Sequence, residues 1–360
     1  ITDKGIVMAY LPATEGLETM PAMGLIAHMD TSPEASGEPA QWQVLNYQGG
    51  DIVLNKDKNI VLSLERFPGV AKYAGEQLVV TDGTTLLGAD DKAGIAIIVE
   101  TARYFVEHPE IPHAKLCFAV TPDEEVGRGT ENFDIDKFGA QYAFSFEGDE
   151  LGGFETETFN AAMVKVLFQG LNVHPGSAKN KMVNAIRMAM DFIARLPAES
   201  APEKTEGHEG FFHPMGISGA VRGVDLKMLI RDHSNSRFED RMNYVRKMVE
   251  EMNKVWGDRV SADIKVQYHN LKNYLDKHPA VCNLAREAYR RIGVEIHEKP
   301  VRGGTDGARL SAKGLPTPNL FTGGMNYHGV YECLSVTGIQ RALDLGIMLG
   351  KMSAEVKTLD

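Results

Sequence analysis

The chain has little of what would mark several protein classes. Three cysteines occur in 360 residues, at Cys117, Cys282 and Cys333. They are too few and too scattered for a disulfide framework or a C-x-x-C metal site, which leaves isolated thiols of a reducing compartment as the expectation. No run of 18 apolar residues occurs, so no segment reads as a membrane-spanning helix. Positive charge is also short: 38 lysines and arginines face 49 acidic residues, for a net charge of −11. Such a balance excludes a general nucleic-acid or anionic-membrane surface, which needs clustered cations. Internal repeats, low-complexity tracts and a signal peptide are lacking too, and the expected location is cytoplasmic. The chain opens on "ITDKGIVMAY", without a methionine.

What is present is ordinary globular composition with an ordered texture. "MGLIAHMD" (23–30), "KLCFAV" (115–120) and "YAFSF" (142–146) are short β-prone runs. Between them, "DKAGIAIIVETARYFVEH" (91–108) has helical spacing, with Ile95, Ile98, Val99, Ala102 and Phe105 on one face. Strands alternating with helices predict an α/β domain with a mostly parallel central sheet.

Near residue 160 the period changes. Val164, Val166 and Phe168 alternate with polar positions, as do Leu226, Met228 and Ile230. That spacing predicts half-buried antiparallel strands. Helices are predicted over 181–196 and 237–256, the second with a stripe of Phe238, Met242, Val245, Met248, Met252 and Val255. The α/β texture returns with helices over 278–293 and 337–352 and a short strand in "LPTPNLFTGG". The expected organisation is a catalytic domain over 1–158 and 269–360, with an α+β domain inserted at 159–268.

Chemistry-bearing residues collect at the predicted strand ends. His28 and Asp30 lie two apart at the close of an apolar run, where their side chains point the same way. They suit a metal-bound imidazole and its orienting carboxylate, or a plain polar pair. Asp90 and Asp91 precede a helix, so an aspartate there either caps it or bridges two cations. Glu124 and Glu125 stand side by side in "TPDEEVG", as a solvated acidic turn or as a base next to a ligand. Glu147 follows another short strand, and His328 lies in the Gly-rich "GGMNYHG". Five of these N/O donors, His28, Asp90, Glu125, Glu147 and His328, with no cysteine among them, suit a pair of Zn²⁺ or similar ions. Glu124 is then left over as a base, which gives a metal-assisted hydrolase.

The stretches "AHMDTSPEASG", "TDGTTLLGADDKAGIA", "TPDEEVGRG", "NVHPGSAKNKMVNA", "PEKTEGHEGFFH", "IRDH", "RGGTDGARLSAKGLPTPNLFTGG" and "NYHG" resemble the peptidase T family. This is the tripeptide aminopeptidase branch of the co-catalytic zinc peptidases related to carboxypeptidase G and the desuccinylases. The resemblance runs from about Lys4 to the C-terminus. It implies two Zn²⁺ per subunit, one held by His28, Asp90 and Glu147, the other by Asp90, Glu125 and His328. It implies Glu124 as general base toward a water between the metals, Asp30 as partner of His28, and a cis peptide between Asp90 and Asp91. His174 would stabilise the oxyanion, and Arg231 and Arg302 would bind the peptide carboxylate with help from Asn326. The inserted domain would be a lid that forms a homodimer.

Two departures from the family pattern supply alternatives. Glu147 stands where the tripeptidases have aspartate, and glutamate there is more usual in the carboxypeptidase and deacylase branches. That favours a carboxypeptidase or N-acyl amino acid deacylase. The resemblance also implies a helical segment of several tens of residues before "KGIVMAYLPA", which this sequence lacks, and that motivates a metal- or peptide-binding protein without catalysis.

Overall fold

The computed structural model describes residues 1–38 and 41–359. The chain divides into two compact units. The first comprises Ile1–Thr156, Leu271–Lys299 and Thr305–Asp360, and the second Glu157–Asn270 and Pro300–Gly304. The short return at 300–304 has no signature in the sequence. It belongs to the second unit because Val301 bridges Thr158 and exchanges backbone hydrogen bonds with Glu157 (2.9 Å) and Phe159 (3.2 Å).

The first unit is built on a seven-stranded sheet. Its spatial order is Val7–Leu11, Leu116–Thr121, Met23–His28, Tyr142–Gly148, Asn319–Phe321, Gly153–Glu155, His297–Glu298. Four of the six pairings are parallel; Val7–Leu11 and the Asn319–Phe321/Gly153–Glu155 pair run antiparallel. The central strands are apolar almost without alternation because both faces are covered. Leu25, Ile97, Phe105, Phe144, Phe146, Tyr289 and Leu345 form the core on one face. Ile26, Phe138, Ala143 and Leu310 form it on the other.

The helix Ala89–Glu107 corrects the predicted stripe. Its buried positions are Gly94, Ile97, Ile98, Thr101 and Phe105, whereas Val99 is 53% exposed. The true face is offset from the predicted one and runs through a glycine and a threonine, which a count of apolar residues passes over. Gly94 is there for closeness: a Cβ on it would collide with the Phe146 carbonyl and the Asp91 carboxylate.

A four-stranded sheet that the sequence texture did not reveal lies beside this core in the same unit. Its order is Gly324–Met325, Cys333–Ser335, Gln77–Thr81, Trp42–Asn46. Because Gly324–Met325 and Cys333–Ser335 pair antiparallel, the segment between them becomes a closed loop. That loop carries His328 and Glu332.

The second unit is a four-stranded antiparallel sheet ordered Phe211–Ala220, Gly223–Asp232, Asn160–Gln169, Val260–Tyr268, with helices Ala185–Ala194 and Asn235–Trp256. The period-two residues meet across the ladder, Val164 opposite Met228 and Val166 opposite Leu226. They bury against Phe192, Met242, Val245 and Met248. The helix expected from 181 starts at Ala185, where the Asn184 side chain accepts the Ile186 amide. Val255, placed in the stripe of the long helix, is 69% exposed in its last turn.

Candidate active site

The site forms at the carboxyl ends of parallel strands, where open α/β sheets bind ligands. His28 closes the strand Met23–His28, in register with Thr121. Its Nε2 is 2.9 Å from Asp90 Oδ1. Its Nδ1 is 3.1 Å from the Asp30 carbonyl and 3.4 Å from the Asp30 carboxylate. This fixes the ring with Nε2 toward the site, as a ligating histidine requires.

The paired aspartates divide the two jobs that the sequence left open. Asp91 is fully buried and accepts the amides of His28 (3.0 Å) and Gly94 (3.1 Å). It therefore caps the regular part of the helix and ties that helix to the strand end. Asp90 is left to the site. Both have non-helical backbone angles, and the peptide between them is cis. Glu332 secures the turn from the far side, its carboxylate accepting the amides of Gly88 (2.6 Å) and Asp90 (3.0 Å). Capping was offered by the sequence for one of the aspartate pair, and Asp91 takes it; Glu332 was not singled out from the sequence. A carboxylate that serves backbone amides from other segments has no local signature.

Glu124 and Glu125 are not a solvated turn: their side chains are 13% and 4% exposed. Asp30 holds the turn by accepting both their amides at 3.0 Å. It thus serves the glutamates as well as His28. From this turn the side chains diverge. Glu125 Oε2 lies 3.1 Å from His328 Nε2, which is also 3.3 Å from Asp90 Oδ2. Glu124 Oε1 lies 3.5 Å from an Arg309 nitrogen. Asp123 and His328 lie at positive φ (59° and 62°), in the left-handed region that Asp and His enter more often than most residues.

The donor set fits divalent cations. Ligand atoms of His28, Asp90 and Glu125 lie within 4.8 Å of one another, as do those of His28, Glu124 and Glu147. One oxygen each of Glu125 and Glu147 is buried with no hydrogen-bond partner among the described residues. Orphaned carboxylate oxygens are costly unless a cation takes them up.

The electrostatics agree. Burial, and then the charges of Glu124 and Asp306, push Glu147 well above the usual carboxylate range. Burial and the Asp306 charge push Glu124 up to about 8. Burial opposes ionisation of Asp90 as well, but hydrogen bonds to His28 and His328 outweigh it and hold this carboxyl low. Hydrogen bonds to Asp90 and Glu125 push His328 up to about 10. The clustered carboxylates thus favour positive charge at this place, which bound cations would supply.

The remaining predicted residues have other settings. His174 is exposed in the second unit, its Nδ1 accepting the Gly176 amide at 3.1 Å. Arg231, also in that unit, donates to the Ile230 carbonyl and to Gln267 (both 3.2 Å) and lies over the Tyr268 ring. Arg302 donates to the carbonyls of Gly207 and Glu209 (both 2.9 Å) and to Thr205 Oγ1 (2.8 Å), between the rings of Phe159 and Phe211. In the first unit, Asn326 has a positive φ of 57° and donates to the Tyr331 carbonyl at 3.2 Å.

One neighbouring acid gives a stability test. Burial, and secondarily the Asp149 charge, push Glu155 up from its ordinary 4.5 to about 7, against a hydrogen bond from Asn319 (3.2 Å). Between these values the folded chain holds a proton that the unfolded chain has lost, so this contribution to stability falls as pH rises from 4.5 to 7. Glu155→Gln is expected to gain on the native protein across that window and to level off above it, by about 2–3 kcal/mol. Urea unfolding of both proteins at pH 5 and pH 8 measures the difference. An equal offset at the two pH values would refute it.

A mixed sheet whose strand ends gather two imidazoles and four carboxylates, two of these with an orphaned oxygen, fits the class of α/β metallopeptidases. Comparison with known proteins agrees and narrows it. Residues 156–257 match the peptidase dimerisation domain. The chain is 49% identical over 357 residues to peptidase T of Clostridium acetobutylicum, covering 99% of this chain and 87% of that protein. It is 47% identical to peptidase T of Geobacillus kaustophilus, covering 98% and 86%. Among solved structures, aminopeptidase PepT of Bacillus cereus shares the fold with a TM-score of 0.75 at 24% identity, over 97% of this chain and 85% of that one. A dinuclear metal-binding peptidase of Bacillus subtilis shares it with a TM-score of 0.64 at 15% identity, over 98% and 85%. The chain belongs to the peptidase T family.

Proposed function

We propose that this chain is a tripeptide aminopeptidase that releases the N-terminal residue of its substrate, with Glu124 as general base. The observation that supports this is that Glu124 is buried among the candidate ligand residues and paired with Arg309, while its neighbour Glu125 turns to His328. His28, Asp90 and Glu147 would hold one divalent ion, and Asp90, Glu125 and His328 the other, with zinc the choice that N/O donors favour. When bound, such a pair polarises a peptide carbonyl and lowers the pKa of an adjacent water.

Glu124 takes the proton from the attacking water and returns it to the leaving amine. Asp30 keeps His28 in one orientation and the glutamate turn in place. His174 donates to the developing oxyanion. Arg231, Arg302 and Asn326 bind the peptide; a guanidinium fork matches a carboxylate. Arg302 gives three N–H bonds to the 205–209 segment.

The dimerisation-domain match supports a homodimer. Sedimentation of a fully active monomer would refute it. Among the described residues no helix is long and apolar enough to cross a membrane, and the three buried unpaired thiols suit a cytoplasmic setting.

The test is hydrolysis of a free tripeptide and its N-acetylated form, with and without a chelator. Chelator-sensitive cleavage of the free peptide alone is expected. Preference for the blocked peptide would instead favour the deacylase or carboxypeptidase reading that Glu147 motivates.

A further inference from the structure

Arg309 stands outside the ligand set and outside the roles assigned above. It lies on the short helix Asp306–Ala312, its side chain 18% exposed, with Nη1 3.5 Å from Glu124 Oε1. The surroundings are shaped to keep it there. Gly127 has a φ of +75°, and a Cβ on it would stand 2.9 Å from Arg309 Nη2. Only glycine takes that backbone at little cost and leaves room for the guanidinium. Two residues on, a Cβ on Gly129 would stand 2.6 Å from Asp306 Oδ1. Asp306 in turn accepts the hydroxyl of Thr121 at 2.7 Å, on the strand that leads into the glutamate turn. Thr305 caps the helix through the Ala308 amide. Helix and turn are thus locked together on both sides of the arginine.

Glu124 needs such a partner. Asp30 holds only its backbone amide, which leaves the side-chain torsions unset. The charges of Asp306 and Asp90 bear on the carboxylate from nearby, and like charges push a flexible acid out of place. Resting on the reading of Glu124 as the base, the geometry points to Arg309 as its positioning residue. It holds one carboxylate oxygen so that the other faces the attacking water. At 3.5 Å the pair is longer than a tight charge-assisted bond, so it aims the carboxylate without committing both oxygens. Catalytic hydrogen bonds commonly shorten once substrate is bound.

The experiment compares Arg309→Met, Arg309→Lys, Glu124→Gln and the Glu124→Gln/Arg309→Met double variant, as metal-loaded full chains cleaving a free tripeptide. Arg128→Gln, on the same turn but paired at the surface with Glu131, is the control. Arg309→Met is expected to lower kcat about 10–100-fold, the size of effect that misplacing a catalytic group produces. KM, melting temperature and zinc affinity (by competition with a chromophoric chelator) should stay within twofold or a few degrees of the parent. Arg309→Lys should recover most of the loss, and the double variant should be no slower than Glu124→Gln alone. The proposal is overturned if Arg309→Met turns over within twofold of the parent while Glu124→Gln is inactive. It is also overturned if the kcat loss is matched by lost zinc or a lowered melting temperature, or if lysine recovers nothing. Near-normal turnover of Glu124→Gln would instead refute the base assignment itself.

Discussion

Glu124→Gln is expected to lower kcat on a free tripeptide by about 10²–10⁴, the range for loss of a positioned general base, with zinc still bound. Glutamine keeps the shape of the side chain and can still meet Arg309, but it cannot accept the proton. The proposed ligands His28, Asp90, Glu125, Glu147 and His328 are untouched. One fewer like charge beside Glu147 should leave the fold at least as stable, since Glu124 is second only to burial in raising the cost of ionising Glu147. Steady-state kinetics with zinc analysis on the same sample measures both quantities. Turnover within tenfold of the parent, with metal present, would remove Glu124 from the mechanism.

Removing the metal should have an effect as large on activity and a further one on stability. The native fold brings Asp90, Glu124, Glu125 and Glu147 together, and the buried orphan oxygens of Glu125 and Glu147 are part of its cost. A cation that binds only the folded chain stabilises it by RT ln(1 + [L]/Kd), about 4 kcal/mol at a thousandfold excess over Kd. Chelated protein is therefore expected to lose turnover and to melt several degrees lower, and zinc should restore both. Asp90→Asn should abolish the restoration, because Asp90 contacts both His28 and His328 and its loss damages both halves of the ligand set. Calorimetry with and without zinc reads this out. A zinc-dependent rise in melting temperature that survives in Asp90→Asn would show that these residues are not the site.

How much of this was legible in the sequence differs by element. Short β-prone runs alternating with helical spacing announced an α/β unit with a mostly parallel sheet. The period-two residues of the second unit were equally plain. The short strands Trp42–Asn46, Gln77–Thr81 and Cys333–Ser335 were not, since each is stabilised by partners distant in sequence rather than by its own pattern. The offset face of Ala89–Glu107 was missed because packing there depends on Gly94 and Thr101, whose value is closeness and not hydrophobicity.

The sequence by itself determined which residue types stand at strand ends, and so that a nitrogen-and-oxygen site without cysteine was available. Only the tertiary structure decided how adjacent residues divide their work. Asp91 became the cap and Asp90 the site carboxylate, and Glu125 turned to His328 while Glu124 turned to Arg309. Adjacent identical side chains are equivalent in sequence. They become different when the fold gives each its own partners, and those partners come from strands, loops and a helix up to 238 residues away.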